Sequence, residues 1–164
     1  MVAKYWGDII GLIINSIEII GITAEENFPK KINGQWIEYS EVVTLFIPKN
    51  KPQIGKLIQA SIKIENEYSK TISSVFGKTV ILDGTKKFDF EYSSNTNSNK
   101  IYKVHLEIPF NGFIDLPSEV DNLESSNVYI LDAYFSRLDS RKIYSSILYL
   151  INANYEQAIS KWYH

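Results

Sequence analysis

Cysteine is absent from this chain, and methionine occurs once, as Met1. Without thiols there is no disulfide, no thiolate metal site and no cysteine nucleophile, and the cytoplasm is the simplest compartment to expect. A single methionine also argues against a surface that adapts to many partners through soft, flexible contacts. Histidine is nearly as scarce, present only as His105 and His164. A metal centre needs three or four converging ligands, and a serine triad needs a histidine base held by an acid. Neither is expected, and no G-x-S-x-G elbow occurs. The glycine-rich phosphate loops and the calcium loop D-x-[DN]-x-[DN]-G are missing as well, so no cofactor or metal is expected. Neither sign of charge dominates: 17 basic residues face 19 acidic ones, a formal charge of −2. Such a balance gives no broad attraction to nucleic acid or to an anionic membrane. Finally, no long hydrophobic run survives uninterrupted. Met1–Gly21 is apolar, but Asp8, Asn15 and Glu18 break it, which argues against an export signal and against a span of about 20 apolar residues.

What is present is aromatic and branched. The 164 residues include 11 Tyr, 8 Phe and 3 Trp, and 45% are hydrophobic. This length and apolar content suit one globular domain over residues 1–164, with a core large enough to fold without a staple. No repeat and no Pro- or Gly-rich linker divides the chain. Strand-like runs follow one another: part of Ile9–Ile22, then Gln35–Ile47, Lys56–Glu65, Lys78–Leu82, Phe88–Tyr92, Ile101–Ile108 and Asn127–Arg137. In Lys56–Glu65 the period of two places Ile58, Ala60, Ile62 and Ile64 on one face. Asn33-Gly34, Asp83-Gly84 and Asn111-Gly112 read as turns, because Asn-Gly and Asp-Gly tolerate positive φ. The polar stretch Ser93–Asn99 reads as a mobile hairpin loop. Lys142–Ile151 fits either a strand paired with Asn127–Arg137 or the start of a helix. Tyr144, Ile147, Leu148, Ile151, Tyr155, Ile159 and Trp162 recur at helical spacing, which predicts a helix from Ala153 onward, chiefly Tyr155–Tyr163.

Many short strands with frequent turns predict a mainly β fold, an antiparallel sandwich with a short C-terminal helix. Two stretches carry a resemblance. Gly55-Lys-Leu-Ile-Gln-Ala-Ser-Ile-Lys-Ile-Glu-Asn66 resembles an early strand of immunoglobulin-like and arrestin-like sandwiches. Val104–Pro117, with its Ile108-Pro109 and Leu116-Pro117, followed by Val128–Tyr134, is similar to an arrestin-like pattern. The resemblance covers about half the chain and implies partner binding without catalysis; it names no partner and transfers no functional residue. The rival fold is a small oligonucleotide-binding barrel, with Ile19–Thr23 and Asn33–Tyr39 as its first hairpin.

Three functional expectations follow. The first is a non-enzymatic protein-interaction or assembly subunit, such as an adaptor or a viral or accessory structural protein that binds a partner or itself. Tyrosine adds rigid amphipathic contact area, and Trp162 and Tyr163 form an aromatic pair suited to docking. The second is a single-stranded nucleic-acid binder, in which Lys30 and Lys31 hold phosphates beside Trp36 and Tyr39. The third is a carboxylate enzyme using Asp89 and Glu91, which share a strand face at a spacing compatible with paired acid–base groups. Alternating acids are also what any half-solvated strand displays, and Glu65 and Glu67 repeat the spacing. His105 reads as a strand residue facing solvent or a neighbour.

Overall fold

A computed structural model describes residues 17–30, 34–120 and 123–155. Among the described residues seven strands succeed one another: β1 (Glu18–Ile20), β2 (Gln35–Phe46), β3 (Ile54–Ser74), β4 (Gly77–Ser94), β5 (Asn97–Leu116), β6 (Leu123–Arg137) and β7 (Lys142–Tyr155). One 3-10 turn, Glu25–Asn27, lies between β1 and β2. The strands sort into a four-stranded sheet in the order β1-β3-β4-β5 and a three-stranded sheet in the order β2-β7-β6. All pairings are antiparallel except β1 with β3. The result is the predicted sandwich. The rival barrel is not formed: β1 pairs with β3 and β2 with β7, so the two segments expected to make its first hairpin belong to different sheets.

The turn signals need correcting in two places. Asp83-Gly84 and Asn111-Gly112 make no turn; each lies inside a continuous strand, so the two expected runs Lys78–Leu82 and Phe88–Tyr92 are one strand, β4. Glycine serves close approach there instead. Gly84 faces a register shift between Asn66 and Tyr68 of β3, and a Cβ at Gly84 would collide with the Glu65 carbonyl oxygen. Gly112 lies on the inner face, where a Cβ would collide with Ile151 of the opposite sheet. The real reversals are the Val75–Phe76 tip between β3 and β4, closed by Gly77 at φ 128°, and the connection through Asn95 and Thr96 between β4 and β5. The latter falls in the predicted hairpin segment.

Bulges also alter the expected face of β3. The register skips Ile58, so Leu57 and Ala60 both reach the core while Ile58 sits half-buried. A bulge adds one residue and so changes which neighbours point inward. Lys142–Ile151 resolves as strand, and Ala153–Tyr155 extend it, against the helix expected there. β7 is the central strand of its sheet, with Ile143, Ile147, Tyr149 and Ile151 buried inside and Tyr144, Leu148 and Leu150 on the outside. Apolar residues on both faces of a strand imitate helical spacing, which is why the period misled. The rest of the expected helix, with Trp162 and Tyr163, lies outside the described residues, as do Lys31 and most of the first apolar run.

Alternation places the core. Val80, Leu82, Phe88, Phe90 and Tyr92 of β4 point inward and are fully buried. Phe135 of β6 crosses from the other sheet and meets Phe88 and Phe90 edge-on, with ring centroids 6.2 and 5.4 Å apart. Edge-to-face contact is a favoured aromatic geometry, because a positive ring edge meets a negative face. Tyr92 satisfies its buried hydroxyl by donating to the Pro52 carbonyl at 2.9 Å.

Candidate interaction surface

The sandwich has two outer faces of opposite character. On the larger sheet, the outward residues in the middle of β3, β4 and β5 form rows of polar and charged side chains, with Ile101 and Phe113 exposed farther along β5. Gln59, Glu91 and Lys103 make one row, Ser61, Asp89 and His105 the next, and Lys63, Lys87 and Glu107 the third. Opposite charges lock across the strands, Lys103 to Glu91 and Lys87 to Glu65 at 2.5 Å each, and along β3, Lys63 to Glu65 at 2.7 Å. The two lysines hold the Glu65 carboxyl down at about 2 through hydrogen bonds. His105 sits between Glu107, 2.9 Å from Nε2, and Asp89, 2.8 Å from Nδ1. These bonds, Glu107's the stronger influence, raise its pKa above the ordinary 6.5.

Asp89 and Glu91, the candidate acid–base pair, are therefore engaged by His105 and Lys103 on an open sheet face. Among the described residues no group of three or more His, Asp or Glu side chains is arranged to hold a metal ion. The His105 arrangement makes a pH prediction. A raised folded-state pKa contributes stability that is present below the unfolded value and is lost as pH rises through the folded one. Proton NMR of His105 should give a midpoint above 6.5. Glu107→Gln should lower it more than Asp89→Asn; equal midpoints in all three proteins would refute the assigned pairing.

The smaller sheet presents the contrasting face. Its inward residues in β2 are Ile37, Tyr39, Glu41, Val43 and Leu45, so Trp36, Val42 and Phe46 point outward. Val42 and Tyr134 flank Ser146 in one cross-strand row, and Glu38, Leu150 and Tyr129 form another. Tyr134 meets Tyr144 edge-on at 6.2 Å. Val42, Phe46 and Tyr134 are 60%, 61% and 56% exposed. At one end the chain preceding β2 folds over this face. Phe28 stacks on Tyr129 at 5.2 Å, and Tyr129 on Trp36 at 5.7 Å. Beside that stack, Phe28, Pro29, Trp36 and Leu150 line an apolar recess of about 320 Å³. Thr23 pins the crossing segment: its N–H donates to the Ile130 carbonyl, and its hydroxyl accepts from the Ile130 N–H.

The expected basic and aromatic cluster is thus divided. Trp36 is half-buried on the outer face of the smaller sheet. Tyr39 points inward, stacked on Tyr149 at 5.6 Å, and its hydroxyl donates to the Phe113 carbonyl at 2.5 Å. Lys30 is exposed beside Glu25 and Glu26. Adjacent parity explains the division, since residues an odd number apart on a strand face opposite ways. Sequence reasoning missed Phe28, Val42, Phe46, Tyr129, Tyr134 and Leu150 as surface residues. Their signal was faint: apolar residues at both parities of β2, β6 and β7, which mark a sheet apolar on both sides.

Residues 53–140 match the family described as SipL, SPOCS domain. The match spans more than half of the 164 residues, and the chain belongs to that family. It is not known as an enzyme family. No curated protein and no solved structure matches the chain. The matched segment runs from the start of β3 to the β6–β7 turn, the greater part of the larger sheet and one edge strand of the smaller. Among the described residues, no helix is long and apolar enough to cross a membrane.

Proposed function

We propose that this chain is a non-catalytic assembly module, a single domain acting in the cytoplasm, that binds another protein through the outer face of its β2–β7–β6 sheet. The observation that carries this reading is the contrast between the two outer faces. The middle of one is closed by ion pairs, with Ile101 and Phe113 exposed toward the two ends of its edge strand β5; the other exposes Val42, Phe46 and Tyr134 around a partly covered aromatic stack. Contiguous apolar patches are uncommon on proteins that work alone, and aromatic residues are enriched where proteins meet. Membership of the SipL, SPOCS domain family supports a place in a spore-associated protein assembly.

The test compares wild type with the double variant Val42→Glu/Tyr134→Lys, immobilised and exposed to extract from sporulating cells. Both side chains are exposed, so the fold should tolerate the change to within about 0.5 kcal/mol per site. Specific proteins should be retained on wild type and lost on the variant. The same proteins on both columns would defeat the reading.

A further inference from the structure

An edge strand presents a row of N–H and C=O groups that can template a further strand. Folded proteins blunt such edges with shortness, bulges, proline, lysine, inward charges or a covering segment. Each sheet here has two edges, β1 and β5 in the larger, β2 and β6 in the smaller. β1 is three residues long. β5 carries Pro109, Lys100 and Lys103, and the Tyr39 hydroxyl occupies both backbone groups of Phe113. β6 has two register shifts, and Thr23 occupies both backbone groups of Ile130. β2 differs: its 12 residues include no proline and no lysine, and its pairing with β7 has no register shift.

The phase of the ladder shows which groups of β2 are open. Just beyond the strand the Ile47 N–H donates to the Arg141 carbonyl, so odd-numbered residues exchange hydrogen bonds with β7. The even-numbered ones, Trp36 to Phe46, turn N–H and C=O to the other side, where no strand lies among the described residues. Charge does not block that side. Glu41 faces inward, but both its carboxylate oxygens already meet the Lys86 ammonium, so an added strand would cover a matched pair. Glu38 is exposed on the outer face. In β5, which packs against β2 from the other sheet, Lys103, His105 and Glu107 are engaged on the larger sheet's outer face.

An antiparallel strand can be its own complement about a two-fold axis. With the axis at Val42, that residue faces its counterpart, Ser40 faces Thr44, and Glu38 faces Phe46, closing about ten backbone hydrogen bonds. Glu41 falls opposite Val43, and the two copies of Glu38 lie about 27 Å apart. An axis one residue earlier would set Glu41 against Glu41. Val42, 60% exposed, gains an apolar neighbour.

We infer that two copies of this chain pair β2 to β2 about a two-fold axis at Val42, joining their smaller sheets into one. This goes beyond the outer-face reading, since it uses the edge of β2 and leaves that face open. The experiment combines sedimentation of the full chain over a concentration series with cross-linking, for which a cysteine-free chain is a clean background. Wild type should pass from the 18.9 kDa monomer to twice that mass and stop, because the two-fold closes. Ser40→Pro removes an N–H that β7 does not use and should weaken pairing about tenfold or more. Should it fail to fold by circular dichroism, Val42→Lys replaces it, setting two ammonium groups against each other. On mild oxidation Val42→Cys should form a disulfide-linked dimer, since facing Cα atoms about 5.5 Å apart are within disulfide reach. Thr44→Cys should not, its copies being about 14 Å apart. Wild type that stays monomeric or grows past a pair, Ser40→Pro that pairs like wild type, or Thr44→Cys that cross-links as readily as Val42→Cys would each overturn the inference. Ser40→Pro keeps Val42 and Tyr134, so it should still retain proteins on the column, and pairing can fail while the outer-face reading stands.

Discussion

Glu41→Leu is expected to destabilise the domain by about 3 kcal/mol, the lower end of what breaking a buried ion pair costs. Lys86 is the reason. It lies on the inner face of β4, in line with Phe88 and Phe90, and its side chain is 5% exposed. Its ammonium meets both carboxylate oxygens of Glu41, from β2 of the opposite sheet, at 2.5 Å. Removing the acid leaves a cation with little access to water and no anion beside it. Glu41 itself is 31% exposed, so some solvent reaches the pair, and the lower figure is the appropriate one. The compensating change should restore stability. Glu41→Leu with Lys86→Met removes both charges and leaves apolar volume in their place, an exchange that is often neutral or favourable. Urea unfolding of the wild type, the single variant and the double variant checks this. A single variant as stable as wild type would show that the pair contributes nothing; a double variant no better than the single would show that packing, not charge, is at fault. For a domain of this size, about 3 kcal/mol corresponds to a fall in Tm of about 6–12 °C.

Phe135→Ala should cost as much or more, about 3–5 kcal/mol, the usual range for a buried aromatic cut back to a methyl group. Phe135 is 1% exposed and bridges the sheets by meeting both Phe88 and Phe90. Truncation loses its transfer energy and opens a cavity between two sheets whose hydrogen bonds hold their strands in place, so little collapse can refill it. The same change at Phe76, which is 98% exposed, should leave the unfolding midpoint nearly unmoved, because among the described residues nothing covers its ring. Thermal unfolding of the two variants side by side tests the assignment of one phenylalanine to the core and the other to an exposed hairpin tip. Equal losses would mean that the tip is packed after all.

Much of this architecture is legible in the amino-acid order alone. Phe88, Phe90 and Tyr92 alternate with Asp89 and Glu91, and that pattern alone predicts a strand with an apolar inside and a charged outside. Gln35–Ile47 and Asn127–Arg137 are readable for the same reason. The site is much less legible. Val42, Tyr134 and Leu150 are far apart in sequence, and only the order β2-β7-β6 puts them on one face. Trp36 and Tyr39, expected together, separate because parity sends them to opposite sides. The period of two puts Lys86 on the face of Phe88 and Phe90, but its partner Glu41 comes from the other sheet, which no local pattern names.

The sequence by itself determined the class of fold and the chemistries to set aside. Composition and period act locally, and a period of two is written in neighbouring residues. Tertiary structure decided which glycines turn and which let strands approach, whether β7 is strand or helix, and which apolar residues remain outside. Those outcomes depend on pairing between segments as distant as β2 and β7 or β3 and β6. A run that is apolar on both faces reads alike as a helix or a central strand until its neighbours are in place.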